Sequence, residues 1–218
     1  MAAGSGSRMG SNLPKQFLQL GQRPLLWHTL QAFLSAYADL KVVLVLPADF
    51  MEEGQRIADS TLDSGRIQTV AGGKTRFHSV QNGLEIVEGG SVVFVHDGVR
   101  CLVSRDLIQR CYQQALELGS AIPAVAPVDS VRMVSGQETR AMERSAIRLV
   151  QTPQTFLTDL LKKAFAQPYQ ESFTDEASVV EQFGTTIHLV EGEISNIKIT
   201  RPLDLALAEI LLSQRNLP

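Results

Sequence analysis

The chain has 218 residues, 44% of them hydrophobic, with 20 Lys and Arg against 23 Asp and Glu and a formal net charge of −3. That length and apolar share supply one sizeable core, so one domain over residues 1–218 is expected, and the charge balance excludes the basic field that draws proteins to nucleic acid or to anionic membranes. Cys101 and Cys111 show neither CxxC spacing nor paired histidines, no apolar run reaches the length of a membrane span, and no export signal opens the sequence; a cytoplasmic protein acting on a small molecule is expected.

The sequence opens on a glycine-rich stretch, residues 2–10, with no strand ahead of it to anchor it. Either Met1 is the last residue of a strand whose earlier part lies outside the sequence given, or the sheet lacks a member. Residues 25–38 carry Leu26, Leu30, Phe33, Leu34 and Tyr37 at helical spacing, and residues 42–46 form an unbroken apolar run of strand length. The alternation continues with a strand at 67–70, a helix at 75–87, a strand at 92–95, a helix at 105–118 and a strand at 121–125. Continuous apolar strands separated by helices predict an α/β, Rossmann-like fold: a mostly parallel sheet with helices on both faces and ligands at the carboxyl ends of the strands. Residues 129–148 break this rhythm with polar residues around Val131, Met133, Val134 and Ile147, which predicts a projecting, extended β-arm that could pair subunits. The rhythm resumes at 155–166 and 176–183, with a strand at 186–190 and a last helix at 202–214 that Pro202 suits at its first turn.

Several segments carry groups suited to phosphate chemistry. Residues 2–10 combine three glycines and two serines with Arg8, so backbone N–H groups can approach phosphate oxygens; an exposed terminus would share that composition. Lys15 follows Pro14, and could meet the same phosphates or cap a helix in solvent. Gly72 and Gly73 end a strand ahead of a helix with Arg76 and Ser79, as a nucleotide-binding loop or an ordinary tight turn would. Asp97 follows the strand at 92–95, where a carboxylate could hold a metal ion or a ribose hydroxyl, or cap the next helix. Lys198 lies between Ile197 and Ile199, where burial would demand a partner for its charge; a phosphate is such a partner. Thr152, Thr174 and Asp175 each sit just ahead of a predicted helix, where capping is the simplest role.

In this order, AAGSGSRMG, LPKQF, AGGKTR, VFVHDGVR, the MER of residues 142–144, QTPQTF, TDEAS and SNIKITRPLDLALAE resemble the family of 2-C-methyl-D-erythritol 4-phosphate cytidylyltransferases over nearly the whole chain. The resemblance implies a Rossmann-like nucleotide-binding domain, a homodimer built through the arm, the substrates CTP and a polyol phosphate, and a divalent cation, normally Mg2+. It places Ala2, Ala3, Gly4, Gly73 and Ser79 at the cytidine nucleotide, Arg8, Lys15 and Lys198 around the reacting phosphates, and Asp97 near the metal and ribose. Arg100, Ser130, Arg144, Thr152 and Thr174 fall to the polyol phosphate, with Arg144 reaching the neighbouring subunit's site. The implied reaction is in-line attack of a phosphate monoester oxygen on the α-phosphorus of CTP, which needs fixed cations more than an acid or base.

The chain departs from the family at Lys74, where aspartate is usual, at Gly98, Val99 and Cys101 within the HDGVRC run, and at Asp129-Ser130-Val131-Arg132, where Asp-Thr-x-Lys is usual. A ribitol 5-phosphate cytidylyltransferase shares the same loops and differs only in the acceptor. A nucleotide-binding protein without turnover has no need of cations on both sides of a reacting phosphorus. A dinucleotide oxidoreductase is excluded by the missing third glycine and by the lack of an acidic residue ending a second strand.

Overall fold

The computed structural model describes residues 1–4 and 13–215. A 3-10 turn at Lys15–Phe17 and two short paired strands, β1 (Gln19–Leu20) and β2 (Arg23–Pro24), lead into helix α1 (Leu25–Ala36). Of the expected apolar stripe, Leu26, Leu30, Phe33 and Leu34 lie on the buried face of α1 with Leu25, and Tyr37 stands just past its last residue, half-buried. Strand β3 (Val42–Leu46) buries Leu44, Val45 and Leu46. Helix α2 (Met51–Asp59) was not foreseen, because only Met51, Ile57 and Ala58 mark its apolar face among polar and charged neighbours. At Gly54 it comes so close to β3 that a Cβ would lie 2.2 Å from Leu46 Cδ1.

Strand β4 (Ile67–Ala71) runs parallel to β3, with Val42 opposite Ile67 and Leu46 opposite Ala71. Helix α3 (Arg76–Glu85) is capped by the Thr75 hydroxyl, which accepts from the His78 N–H. Strand β5 (Val92–Val95) then leads to helix α4 (Arg105–Leu118). The Ser104 side chain caps the start of α4, and Gly119 ends it at φ +83°, a left-handed conformation that a residue without Cβ adopts freely. Strand β6 (Ser120–Val125) follows, and the chain then leaves the body as a hairpin of β7 (Arg132–Ser135) and β8 (Glu138–Ala141), every residue of which is exposed. The chain returns through β9 (Leu149–Val150) and β10 (Gln154–Leu157) to helices α5 (Thr158–Phe165) and α6 (Glu176–Gln182), strand β11 (Leu189–Glu191) and helix α7 (Pro202–Arg215).

The sheet is more mixed than expected. Its main body has the order β11-β6-β10-β5, with β9 also on β6. β11 is parallel to β6, but β10 is antiparallel to both β5 and β6. Residues 155–157, read from the sequence as the start of a helix, form most of β10, because a short run buried at three successive positions cannot be told from a buried helix by period alone. Helices cover both faces, as the unbroken apolar strands required. Phe77, Val80 and Leu84 of α3 and Leu161 and Phe165 of α5 pack with Val95, Ile122 and Phe156 on one side; Phe33 of α1 and Leu107, Ile108 and Cys111 of α4 pack with Ala121 on the other. No described helix is long and apolar enough to cross a membrane.

Candidate active site

The site forms where the polypeptide leaves β3, β4 and β5 at their carboxyl ends. Met1 and Ala2 lie between these strands: Ala2 N–H donates to the Val45 carbonyl at 2.8 Å, and the Gly98 N–H donates to the Met1 carbonyl at 2.8 Å. Three glycines permit the close approach. A Cβ at Gly72 would lie 2.6 Å from the Ala3 Cβ, one at Gly98 would lie 3.1 Å from the Ala2 Cβ, and one at Gly73 would lie 2.5 Å from the His78 Cβ. The glycine pair and the start of the glycine-rich stretch are therefore packed together, with Gln16 Nε2 donating to the Ala2 and Gly4 carbonyls at 2.6 and 3.2 Å. Ser79, expected at the nucleotide, is buried and turned into its own loop: its hydroxyl accepts from the Gly73 N–H at 3.0 Å and donates to the Thr75 carbonyl at 2.9 Å. It shapes the Gly72–Gly73 turn.

Asp97, buried just past β5, is the electrostatic centre. Arg76 Nη1 lies 2.8 Å from its Oδ1, Lys198 Nζ 2.9 Å from its Oδ2, and Arg100 Nε 3.6 Å from its Oδ2. Burial alone would raise the carboxyl, but Arg76, Lys198 and Arg100 outweigh it and hold Asp97 well below the ordinary carboxylate range. Arg76 also reaches Glu176 at the start of α6, Nη2 to Oε2 at 2.9 Å. Glu176 shifts the other way: its burial is nearly complete, and Arg76 offsets that cost only in part. Two carboxylates on one guanidinium thus move in opposite directions, because Asp97 has three cations and Glu176 has one. In return the pair hold Arg76 above the ordinary guanidinium range against the effect of burial.

Behind Asp97, neutral His96 sets the backbone. Burial pulls its imidazole down to about 3. With Nε2 3.1 Å from the Arg100 carbonyl, that nitrogen must be the donor, leaving Nδ1 to accept from the Thr152 hydroxyl at 3.0 Å. The Thr152 oxygen in turn accepts from the Asp97 N–H at 3.1 Å. Thr152 is thus a buried link that fixes Asp97, where the sequence reading had it touching substrate. Asn196 completes the back wall: its Nδ2 donates to the Thr152 carbonyl at 2.8 Å, and its own carbonyl accepts from Arg100 Nη1 at 2.8 Å.

The structure brings together Ala2, Ala3, Gly73, Asp97, Arg100 and Lys198 of the expected residues, with Gly4 exposed beside them. Lys198 is not buried as its apolar neighbours suggested; its side chain is 43% exposed, and its partner within the protein is Asp97. Lys15 stands in the 3-10 turn after Pro14, one residue from Gln16. Arg8 lies outside the described residues. Ser130 and Arg144 belong to the exposed arm, where Arg144 Nη1 donates to the Val128 carbonyl at 2.6 Å. Thr174 is exposed beside α6, and Asp175 rather than Thr174 is the cap, in a reciprocal capping box with Ser178. Arg76 was noted only beside the glycine pair, and Glu176, His96 and Asn196 were not expected as site residues. The ion pair of Arg76 with Glu176 spans 100 positions, and no local pattern announces such a contact.

The chain matches the family profile of 2-C-methyl-D-erythritol 4-phosphate cytidylyltransferase over residues 1–214. Proteins of that name from Bacteroides thetaiotaomicron and from Porphyromonas gingivalis strain W83 are 44% and 45% identical to it over 212 and 214 residues, covering 97% and 98% of this chain and 97% and 96% of theirs. Among solved structures, the 2-C-methyl-D-erythritol 4-phosphate cytidylyltransferase of Thermus thermophilus superposes with a TM-score of 0.74 at 37% identity, over 91% of this chain and 94% of that one. That of Francisella tularensis gives 0.80 at 32% identity, over 96% and 95%. The chain belongs to the 2-C-methyl-D-erythritol 4-phosphate cytidylyltransferase family.

Proposed function

We propose that the chain transfers the cytidylyl group of CTP to 2-C-methyl-D-erythritol 4-phosphate, giving 4-diphosphocytidyl-2-C-methyl-D-erythritol and pyrophosphate in isoprenoid biosynthesis. Beyond family membership, the reading is supported by the ionised Asp97 tying Arg76, Arg100 and Lys198 to the strand ends beside the packed glycine segments. An oxygen of the acceptor's phosphate forms a bond to the α-phosphorus while the bond from that phosphorus to the α,β-bridging oxygen breaks, and pyrophosphate leaves in line. Charge on the phosphates, rather than proton transfer, is the obstacle. Arg8, Lys15 and Lys198 supply the fixed positive charge, while Ala2, Ala3, Gly4 and Gly73 offer close backbone approach to the nucleotide.

No group of three or more His, Cys, Asp or Glu side chains able to hold a metal occurs among the described residues. That suits Mg2+, which takes one or two carboxylates and completes its shell with substrate phosphates and water. Asp97 would be the protein's ligand, and the ion when bound neutralises charge on the phosphates. Arg100, Ser130, Thr174 and Arg144 are assigned to the acceptor, Arg144 across a homodimer, in a cytoplasmic enzyme.

The test is pyrophosphate release from CTP with 2-C-methyl-D-erythritol 4-phosphate beside D-ribitol 5-phosphate. The methylerythritol compound should be strongly preferred, and Lys15→Ala and Lys198→Ala should each lower kcat by about 10²-fold or more, by analogy with removal of a transition-state donor. Preference for ribitol phosphate would overturn the acceptor. No release with either acceptor from folded protein would overturn the activity.

A further inference from the structure

Glu176 is 1% exposed, although it carries a carboxylate and stands in the first turn of α6. Capping does not account for that burial, because Asp175 and Ser178 already form the capping box. Nor does stability. A buried ion pair holds a fold together little better than apolar side chains of the same volume, since desolvation of both charges offsets their attraction. The position of Glu176 is also rigid. Gln154, itself 1% exposed, donates through Nε2 to Asp175 Oδ2 at 2.7 Å and accepts at Oε1 from the Ala177 N–H at 2.8 Å, so one side chain of β10 bonds both neighbours of Glu176.

The same strand fixes Asp97. Gln154 pairs with Val95 of β5, and Thr152, just ahead of β10, accepts from the Asp97 N–H. Arg76 bridges the two carboxylates, Nη1 to Asp97 Oδ1 at 2.8 Å and Nη2 to Glu176 Oε2 at 2.9 Å. The Thr152 bond holds the Asp97 backbone but leaves the carboxylate free to turn about its side-chain torsions. Cations stop that rotation, and they divide the work: Lys198 and Arg100 lie on Oδ2, and Arg76 lies on Oδ1. Lys198 is assigned to the reacting phosphates and Arg100 to the acceptor, so bound substrates draw both away from Oδ2. Arg76 is then the cation that still holds Asp97. A guanidinium fork is itself well shaped for phosphate, and a carboxylate on its far edge opposes that pull.

We propose that Glu176 is a positioning residue: by anchoring Arg76 from behind, it keeps Oδ1 of Asp97 held while the substrates draw Lys198 and Arg100 from Oδ2. The inference rests on the proposed cytidylyl transfer, which assigns those two cations to substrate. Glu176 touches neither the nucleotide nor the acceptor and acts through Arg76. Its effect falls on the transfer step, where a misplacement of about 1 Å can lower the rate ~10²-fold.

The experiment compares the parent chain with Glu176→Gln and with Arg76→Met combined with Glu176→Gln. Glutamine keeps the shape and an acceptor at position 176 but not the charge; the double variant leaves no unpaired charge there and should regain most of the Tm that Arg76→Met alone loses. Pyrophosphate release from CTP with 2-C-methyl-D-erythritol 4-phosphate should show kcat lowered at least ~10-fold in both variants, with KM for each substrate within about 3-fold of the parent, the pattern of an interaction lost from the transition state. In crystals grown with CTP, Arg76 should keep its contact with Asp97 in the parent and turn away from it in Glu176→Gln. A double variant whose kcat recovers together with its Tm would overturn the proposal, since the pair would then serve the fold alone. So would a parent-like kcat in Glu176→Gln, a loss confined to KM for one substrate, or an Arg76 that leaves Asp97 in the parent crystals. A folded parent chain that releases no pyrophosphate would overturn the transfer reaction, and this inference with it; each of the other outcomes starts from an active parent.

Discussion

Arg76 is the residue on which two buried carboxylates depend, and they depend on it unequally. Replacing it with methionine leaves Glu176 buried without a cation, while Asp97 keeps Lys198 and Arg100. Breaking a buried pair from one side costs about 3–5 kcal/mol, so Arg76→Met should show that loss in urea unfolding at pH 7. The deficit should shrink as the pH falls. A carboxyl whose folded pKa lies above its unfolded one contributes stability at low pH that is lost as pH rises, and in the variant Glu176 becomes a stronger case of this kind. Arg76→Met combined with Glu176→Gln should recover much of the loss; a single variant with unchanged stability, or a deficit that grows in acid, defeats this account. The cysteines make a second prediction at this scale. Burial pushes both Cys101 and Cys111 up to about 12. Neither thiol should react with iodoacetamide at pH 8 in the folded protein, though both should in urea. Stability should fall as pH rises through about 9, where unfolded thiols begin to ionise and folded ones do not. Labelling of either native thiol at the rate of the unfolded chain would contradict this burial.

Among elements, those with a clear apolar pattern, an unbroken run for a strand or helical spacing for a helix, were legible in the sequence. β5 and α4 fall where the pattern put them, and the arm is the exposed hairpin its polar alternation implied. What was not legible depended on distant neighbours. β10 is a strand because β5 and β6 present free edges to it, and α2 is a helix whose missing side chain at Gly54 is demanded by Leu46 of another element. The same rule holds in the site. Asp97 could be found because it follows a strand, but the ion pairs that Arg76 and Lys198 make with it could not, since their partner is placed by tertiary contacts. Gly54 allows a direct test. Gly→Ala inside a helix gains roughly 1 kcal/mol of propensity, but overpacking a core typically costs about 1–3 kcal/mol. Leu46 is fully buried and has little room to yield, so the steric cost should win. Gly54→Ala is expected to be destabilised by about 1 kcal/mol, with recovery in Gly54→Ala combined with Leu46→Val. A stabilised single variant would mean that Leu46 repacks without cost.

At the scale of the whole molecule, the arm is the part whose chemistry does not close within one chain. β7 and β8 pair only with each other among the described residues, and a lone two-stranded hairpin is marginal in water. Yet it and its flanks expose apolar side chains: Val128 is 82% exposed, Val134 66% and Leu149 51%. A row of this kind on a projecting element calls for a partner surface, which the proposed homodimer supplies, and Arg144 at the base of the arm would then be carried towards the neighbouring site. Val134→Asp tests this without disturbing the core, because Val134 packs in none of the buried clusters. At micromolar concentration the parent chain should sediment as a dimer and the variant as a monomer, and the dependence of Tm on protein concentration should vanish in the variant. If the partner's arm helps to hold the acceptor, the monomer should show a raised KM for the polyol phosphate and a nearly unchanged KM for CTP. A monomeric variant with both constants unchanged would keep the interface but remove Arg144 from the neighbouring site, and a parent chain that is itself monomeric would leave the arm's apolar row unexplained by self-association.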